Sequence, residues 1–212
     1  MSHDFQYVSK EEYGPVKKEL EELIHRVQDE VRDKFTFSFT YVGSTHRKMI
    51  TCDVKGNTGY DFDLNLHVND DEEEFSAEEI RNILKTAFDK HAWRFGYDYC
   101  ENSTRVLTIK KKDRWNSRII SSCDMAIVYE CSDGRQQYIH FNKDQKSFSW
   151  KYLPQSNEQL EKRVDWLKQK SEAWEEVRRI YLNKKNDNDD PNKRSRSLYA
   201  ETINEVYMRW YG

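Results

Sequence analysis

The sequence predicts an α+β protein: a mixed β-sheet core flanked by helices, with a small helical part at the C-terminal end. Three observations carry this. An apolar stripe at helical spacing runs through residues 9–33. Two-residue alternation follows in "FTFSFTYV" (35–42) and again in "YDFDLNLHV" (60–68). From Ser156 onward the apolar spacing turns helical again. The order is helix, strands, helix, strands, hairpin, then helices, which fits an α+β or mixed-sheet domain with helices packed at its end. The expected division is a core over residues 1–154 and a helical segment, 155–212, packed on it.

Ser9-Lys10-Glu11-Glu12 has capping-box form, with Ser9 placed to accept the Glu12 N–H. Val16, Leu20, Leu23, Ile24, Val27 and Val31 then make one stripe, which stops after too few turns for a coiled coil. The strand at 35–42 ends at Gly43-Ser44. Ser44-Thr45-His46-Arg47 begins a short helix, and Gly56-Asn57-Thr58-Gly59 reads as a turn. In the strand at 60–68, Phe62, Leu64, Leu66 and Val68 share one face, so Asp61, Asp63, Asn65 and His67 share the other.

The acidic run "NDDEEEFSAEE" (69–79) reads as a solvated loop entering a helix, whose start is a second capping box, Ser76 with Glu79. Ile80, Ile83, Leu84, Ala87 and Phe88 extend that helix to near His91. Strands are expected at 105–110 and 123–130, the second beginning at Cys123 so that Asp124 sits near its edge. A hairpin is expected across 136–141 and 147–152, turning at Asn142-Lys143-Asp144. Leu160, Val164, Leu167, Trp174, Val177 and Tyr181 fit one or two helices. Residues 183–196 form a charged linker, and a last helix covers about 198–210. There are no internal repeats.

Composition narrows the function classes. Aromatic residues make up 14% of the 212, enough core material to exclude general disorder despite 34% charged residues. A net charge of −3 gives no global pull toward nucleic acid or an anionic membrane. Any such binding would need a local patch such as "KKKDR" (110–114) with Arg118, which reads as a contact for acceptor RNA or a second nucleotide, or as a solvated strand end. The four cysteines form no CxxC pair and no cluster at zinc spacing, as expected of free thiols in a reducing cytoplasm. The polar N-terminal stretch has no apolar h-region, and no apolar run reaches membrane-span length, so no membrane partner is expected. His46, His67 and His91 read as isolated polar positions.

The chemistry is concentrated at two places. Asp61 and Asp63 stand on one strand face, roughly 6.5–7 Å apart. Two carboxylates that close repel, and a divalent cation between them relieves the repulsion. A third carboxylate on an adjacent strand would complete such a site, and Asp124 is the best candidate. Gly43 permits a tight turn and close backbone approach. Exposed N–H groups after it, the Ser44 hydroxyl and the Arg47 guanidinium could hold phosphate.

These elements resemble the nucleotidyltransferase superfamily of the DNA polymerase β type. Its motif runs from a hydrophobic residue and Gly-Ser, through a spacer, to Asp-x-Asp on a strand and a third acid on a later strand. Val42-Gly43-Ser44, Asp61-Phe62-Asp63-Leu64 and Asp124 match in that order. "GSTHR" also looks like the GSxxR opening of the oligoadenylate-synthetase and cyclic-dinucleotide-synthase branch. The resemblance covers roughly residues 10–150. Sixteen residues, 45 through 60, separate Ser44 from Asp61, more than the usual spacer, and an insertion around Asp53–Gly59 would account for it. The helical part is small for that branch; Lys184, Lys185, Ser197 and Tyr199 are its candidates for nucleotide contact.

The resemblance implies a metal-dependent enzyme that moves a nucleoside monophosphate from an NTP, ATP among them, to a hydroxyl acceptor and releases pyrophosphate. Asp61, Asp63 and Asp124 would be catalytic and hold Mg²⁺ or Mn²⁺, while Gly43, Ser44 and Arg47 would bind the nucleotide. The acceptor stays open between a nucleotide, an RNA end, a protein side chain and a small molecule. The alternative is a catalytically inactive nucleotide- or RNA-binding module on the same fold. A third reading is an interaction protein that dimerises through the 9–33 stripe or the last helix. Base choice, product linkage, activating ligand and oligomeric state are not legible in the sequence.

Overall fold

The first long helix, α1 (Lys10–Val31), starts where the Ser9 hydroxyl accepts the Glu12 N–H at 3.2 Å and buries Leu20, Leu23, Ile24, Val27 and Val31. This is a computed structural model, and it describes residues 3–70, 74–154 and 157–211. Residues 71–73 of the acidic run, and residues 155 and 156 where the helical part was expected to begin, lie outside the described residues. The chain divides into two compact units, one comprising Tyr7–Thr51 and Asn57–Leu153, the other comprising Met1–Gln6, Cys52–Gly56 and Pro154–Gly212.

The larger unit is built on a seven-stranded mixed sheet. Its strands are β2 (Thr36–Val42), β4 (Tyr60–Asn69), β5 (Glu101–Asn102), β6 (Val106–Asp113), β7 (Arg118–Glu130), β8 (Gln136–Asn142) and β9 (Ser147–Tyr152). The order is β2-β4-β7-β6-β5, with β8 also on β7 and β9 on β8. β4 and β7 run parallel; the other pairs are antiparallel. One-turn helix α2 (Gly43–His46) follows β2 directly, and α3 (Ala77–Ala92) follows β4. The Ser76–Glu79 capping box is present in both directions.

Alternation decides the core. β4 buries Tyr60, Phe62, Leu64, Leu66 and Val68 and leaves Asp61, Asp63, Asn65 and His67 half-buried on the other face. Leu107 and Ile109 of β6, and Cys123, Met125 and Ile127 of β7, join the buried face. α1 and α3 pack together, and their buried leucines, isoleucines and Phe88 complete this core. Burying a leucine or phenylalanine of this kind is worth about 1.5–3 kcal/mol.

Two strands extend past their expected ends. β6 runs on to Asp113, and β7 begins at Arg118, so Asp124 lies in the middle of β7, not near its start. The segment 118–122, "RIISS", has weak alternation by itself and becomes strand because β6, and at Ser121 and Ser122 also β4, pairs with it.

In the smaller unit, α4 (Glu158–Lys168), α5 (Ser171–Asn186) and α6 (Ser195–Tyr211) bury Leu167, Ala173, Val177, Tyr181, Leu198, Ile203 and Val206. α5 extends to Asn186, into the expected linker. Two short strands, β1 (Phe5–Tyr7) and β3 (Thr51–Asp53), make a separate two-stranded sheet that the sequence pattern did not announce. Asp53 accepts from the Asp4 N–H, and Asn186 pairs with the Phe5 backbone at both its amide groups.

Candidate active site

The register of three strands sets the site. Asp63 on β4 stands opposite Asp124 on parallel β7, and Asp61 opposite Ser122. On the other side of β7, Thr108 of β6 stands opposite Asp124. Because partners share a face, this places three carboxylates and two hydroxyls on one face. One ligand oxygen from each of Asp61, Asp63 and Asp124 lies within 4.8 Å of the others.

Two of the carboxylates have their own hydroxyl donor. Ser122 Oγ donates to Asp61 Oδ1 at 2.7 Å. Thr108 Oγ1 donates to Asp124 Oδ1 at 2.5 Å. Asp63 is set against the turn, its Oδ2 close enough to Gly43 that a Cβ there would lie 2.3 Å from it. Neither Thr108 nor Ser122 stands out in the sequence. The available signal was spacing: Ser122 is two residues before Asp124, hence on its face once β7 is known to begin at Arg118.

The Gly43–Ser44 turn adjoins this triad because Val42, the last residue of β2, is the cross-strand partner of Asp63. Gly43 has φ +59°, and a Cβ placed there would lie 2.3 Å from Asp63 Oδ2. Both features demand glycine. The Arg47 N–H returns to the Gly43 carbonyl at 3.3 Å, closing the turn.

The electrostatics are those of crowded acids. Burial, reinforced by Asp124 and Asp63 and opposed by the Ser122 hydroxyl, pushes the Asp61 carboxyl up to about 7. Burial and then Asp124 also raise Asp63, while Arg47 and the Ser44 N–H hold it down. Three clustered carboxylates with hard oxygen donors suit Mg²⁺ or Mn²⁺ better than a soft metal. The donor set fits a divalent cation.

Solved structures share this architecture. The GTP-bound form of Vibrio cholerae DncV is 17% identical, covering 94% of this chain and 52% of its own, with a TM-score of 0.58. Bradyrhizobium diazoefficiens CD-NTase CdnG in complex with GTP is 12% identical, covering 74% and 42%, with a TM-score of 0.53. The chain has the nucleotidyltransferase fold. Escherichia coli DncV in its 3'-deoxy GTP bound form is 16% identical, covering 94% and 54%, with a TM-score of 0.57. The motif-level resemblance is thus borne out at the level of the fold, and the chain spans about half the length of these proteins. No family model matches the sequence, and no curated protein matches it.

Other candidate residues have different surroundings. The basic cluster is ion-paired throughout: Lys110 with Glu101, Lys111 with Glu19, Lys112 and Arg114 with Asp98, and Arg118 with Asp113. In the smaller unit, Lys184 is paired with Glu205 at 2.7 Å, and Lys185 lies 3.9 Å over the Phe5 ring. Tyr199 is buried against Tyr181, and Ser197 is exposed. His67 Nε2 bonds Thr40 Oγ1, and His91 Nε2 lies 3.3 Å from Glu30, so neither is isolated. All four cysteines are free. No helix among the described residues is long and apolar enough to cross a membrane.

Proposed function

We propose that this protein is a metal-dependent nucleotidyltransferase, moving a nucleoside monophosphate from an NTP to a hydroxyl acceptor. The observation that carries the reading is the convergence of Asp61, Asp63 and Asp124 beside the Gly43–Ser44 turn. The nucleotidyltransferase fold supports it, and the nucleotides in the neighbours' structures, GTP in DncV and in CdnG, make a purine NTP the first to test.

Asp61, Asp63 and Asp124 would hold Mg²⁺ or Mn²⁺, which would supply positive charge to the triphosphate and to the attacking oxygen. Ser122 and Thr108 orient two of these carboxylates. The Ser44 N–H, the Ser44 hydroxyl and Arg47 bind phosphate oxygens, and Gly43 lets the phosphate approach the backbone. Asp124 accepts the proton of the acceptor hydroxyl. The oxygen attacks the α-phosphorus in line, a new O–P bond forms, and the bond to the β-phosphate oxygen breaks to release pyrophosphate. The catalytic core in this reading lies within residues 1–154. The acceptor hydroxyl stays open between a nucleotide, an RNA end, a protein side chain and a small molecule. An inactive nucleotide-binding module would keep the turn without needing the triad.

Isothermal titration with non-hydrolysable GTP and ATP analogues in the presence of Mn²⁺ tests the reading. Binding is expected for wild type and lost in an Asp61→Ala, Asp124→Ala double variant. Equal binding by both proteins would leave the carboxylates without their assigned role.

A further inference from the structure

The basic cluster divides by face, because successive strand residues point to opposite sides of a sheet. Lys111 stands opposite Ser121, which is fully buried, and pairs with Glu19 of α1. Beyond it the register with β7 shifts, and Lys112 and Arg114 both pair with Asp98. Lys110 is placed differently. It stands opposite Ser122 of β7, which stands opposite Asp61 of β4, so Lys110 shares the face of the triad. Its partner Glu101 shares that face too: Glu101 of β5 stands opposite Thr108, and Thr108 opposite Asp124. Two strand spacings separate Lys110 from Asp61, about 10 Å between Cα atoms, and the four-carbon stem of lysine spans more than half of that. Lys110 Nζ lies 2.6 Å from Glu101 Oε2, with the two side chains 28% and 52% exposed. An ion pair this accessible to water is weak, so Lys110 can change partner at little cost.

The face also has a direction. The Gly43–Ser44 turn lies on the β2 side of Asp63, whereas Asp124, Lys110 and Glu101 follow on the other side, on β7, β6 and β5. In phosphoryl transfer the attacking oxygen stands in line with the leaving one, across the phosphorus. With the pyrophosphate at the turn, the acceptor enters over β7 and β6, where Lys110 stands.

We propose that Lys110 is the acceptor's phosphate contact: it leaves Glu101 for a phosphate group carried by the acceptor. The acceptor is then a phosphorylated one, a nucleotide or an oligoribonucleotide, and not a neutral hydroxyl compound. Phosphate oxygens offer the ammonium the same charge-assisted hydrogen bonds as the carboxylate, beside a centre whose cation already attracts them. Glu101 keeps the ammonium over the face while no acceptor is bound. Left without Lys110, Glu101 repels the same phosphate, so removing the lysine costs attraction and neutralisation together. The proposal rests on the nucleotidyl-transfer reading of the site.

The test is transfer by the full chain, with Mn²⁺, from labelled 2′,3′-dideoxy ATP or GTP, which has no ribose hydroxyl and serves only as donor. Three kinds of acceptor are compared: α,β-methylene ATP or GTP, a short 5′-phosphorylated oligoribonucleotide, and the unphosphorylated nucleosides adenosine and guanosine. Lys110→Ala is expected to raise KM for the phosphorylated acceptors about tenfold or more, with donor KM and any nucleoside KM unchanged. Lys110→Arg, which keeps the charge, is expected to restore most of the loss, and Lys110→Gln serves if the alanine variant folds poorly. Lys112→Ala, in the same cluster but paired with Asp98, is expected to behave as wild type. Whichever phosphorylated acceptor wild type uses at the lower KM names the source of the phosphate. An equal rise in KM for the nucleosides, a rise in donor KM instead, or no rise overturns the proposal. Pyrophosphate release from NTPs without transfer to either phosphorylated acceptor also overturns it, and leaves the nucleotidyl-transfer reading standing. If wild type neither transfers nor releases pyrophosphate from any NTP, that reading fails and the proposal falls with it.

Discussion

At the scale of single residues, Gly43 and Asp61 carry the sharpest consequences. Gly43→Ala combines a left-handed backbone with a Cβ 2.3 Å from Asp63 Oδ2. The strain, about 1–3 kcal/mol, should appear as a lowered melting temperature. Displacement of Asp63 should appear separately, as weaker Mn²⁺ binding by electron paramagnetic resonance; a fully wild-type Mn²⁺ affinity would show that the close contact is not needed.

For Asp61, the folded carboxyl is pushed up to about 7 from an ordinary 3.8. The folded state therefore holds a proton that the unfolded chain has released between those values. Stability from this source is complete below the lower value and is lost as pH rises through the upper one. In EDTA, wild type should lose thermal stability relative to Asp61→Asn between about pH 4 and pH 7, and Mg²⁺ should restore it most at the alkaline end. Comparison with Asp61→Asn is needed because burial lowers His67, an opposite trend in the same pH range. A parallel pH dependence of the two proteins would refute the assignment.

At the scale of elements, β7 organises the face. It pairs with β4 on one side and β6 on the other, so Asp124 receives both Asp63 and Thr108 as cross-strand neighbours. Thr108→Val and Ser122→Ala each remove one hydroxyl donor from a carboxylate. Such orienting hydrogen bonds typically matter by about 10–100-fold in metal affinity. Both variants should weaken Mn²⁺ binding to that degree while leaving the circular dichroism spectrum unchanged; unaltered Mn²⁺ affinity would contradict the orienting role. The capping box is an independent check on fold stability: Ser76→Ala should lower stability by about 1 kcal/mol without touching Mn²⁺ affinity.

The elements show what a sequence can carry. The acids of β4 share a face because two-residue alternation dictates it, and that much is legible from residues 60–68 alone. The capping boxes and the buried stripes of α1 and α3 are local too. The nearness of Asp124 to Asp63 is not local. It depends on β4 and β7 being parallel neighbours, with α3, β5 and β6 between them in the chain. Thr108 and Ser122 are hidden for the same reason, and the early part of β7 is strand because β6, and at Ser121 and Ser122 also β4, pairs with it.

At the scale of the whole molecule, the long spacer between Ser44 and Asp61 acquires a physical content. It holds the end of α2, strand β3 and a turn, and its Cys52–Gly56 portion belongs to the smaller unit, where Asp53 accepts from Asp4. The insertion expected around Asp53–Gly59 is turn that starts where β3 ends, and β3 itself is made by pairing with β1, a segment more than forty residues earlier whose three residues carry no pattern of their own. The basic cluster teaches the converse. Lys110–Arg114 looks like a phosphate surface in the sequence, yet every cation in it has an acidic partner brought from elsewhere in the larger unit.

The account as a whole stands on the triad turning over a nucleotide. The direct measurement is pyrophosphate release from each labelled NTP, with Mg²⁺ and with Mn²⁺, by wild type and by Asp61→Ala. Release by wild type with at least one NTP, reduced about 10³-fold or more in Asp61→Ala, is the predicted result. No release with any NTP and either metal, or release undiminished in Asp61→Ala, would contradict it.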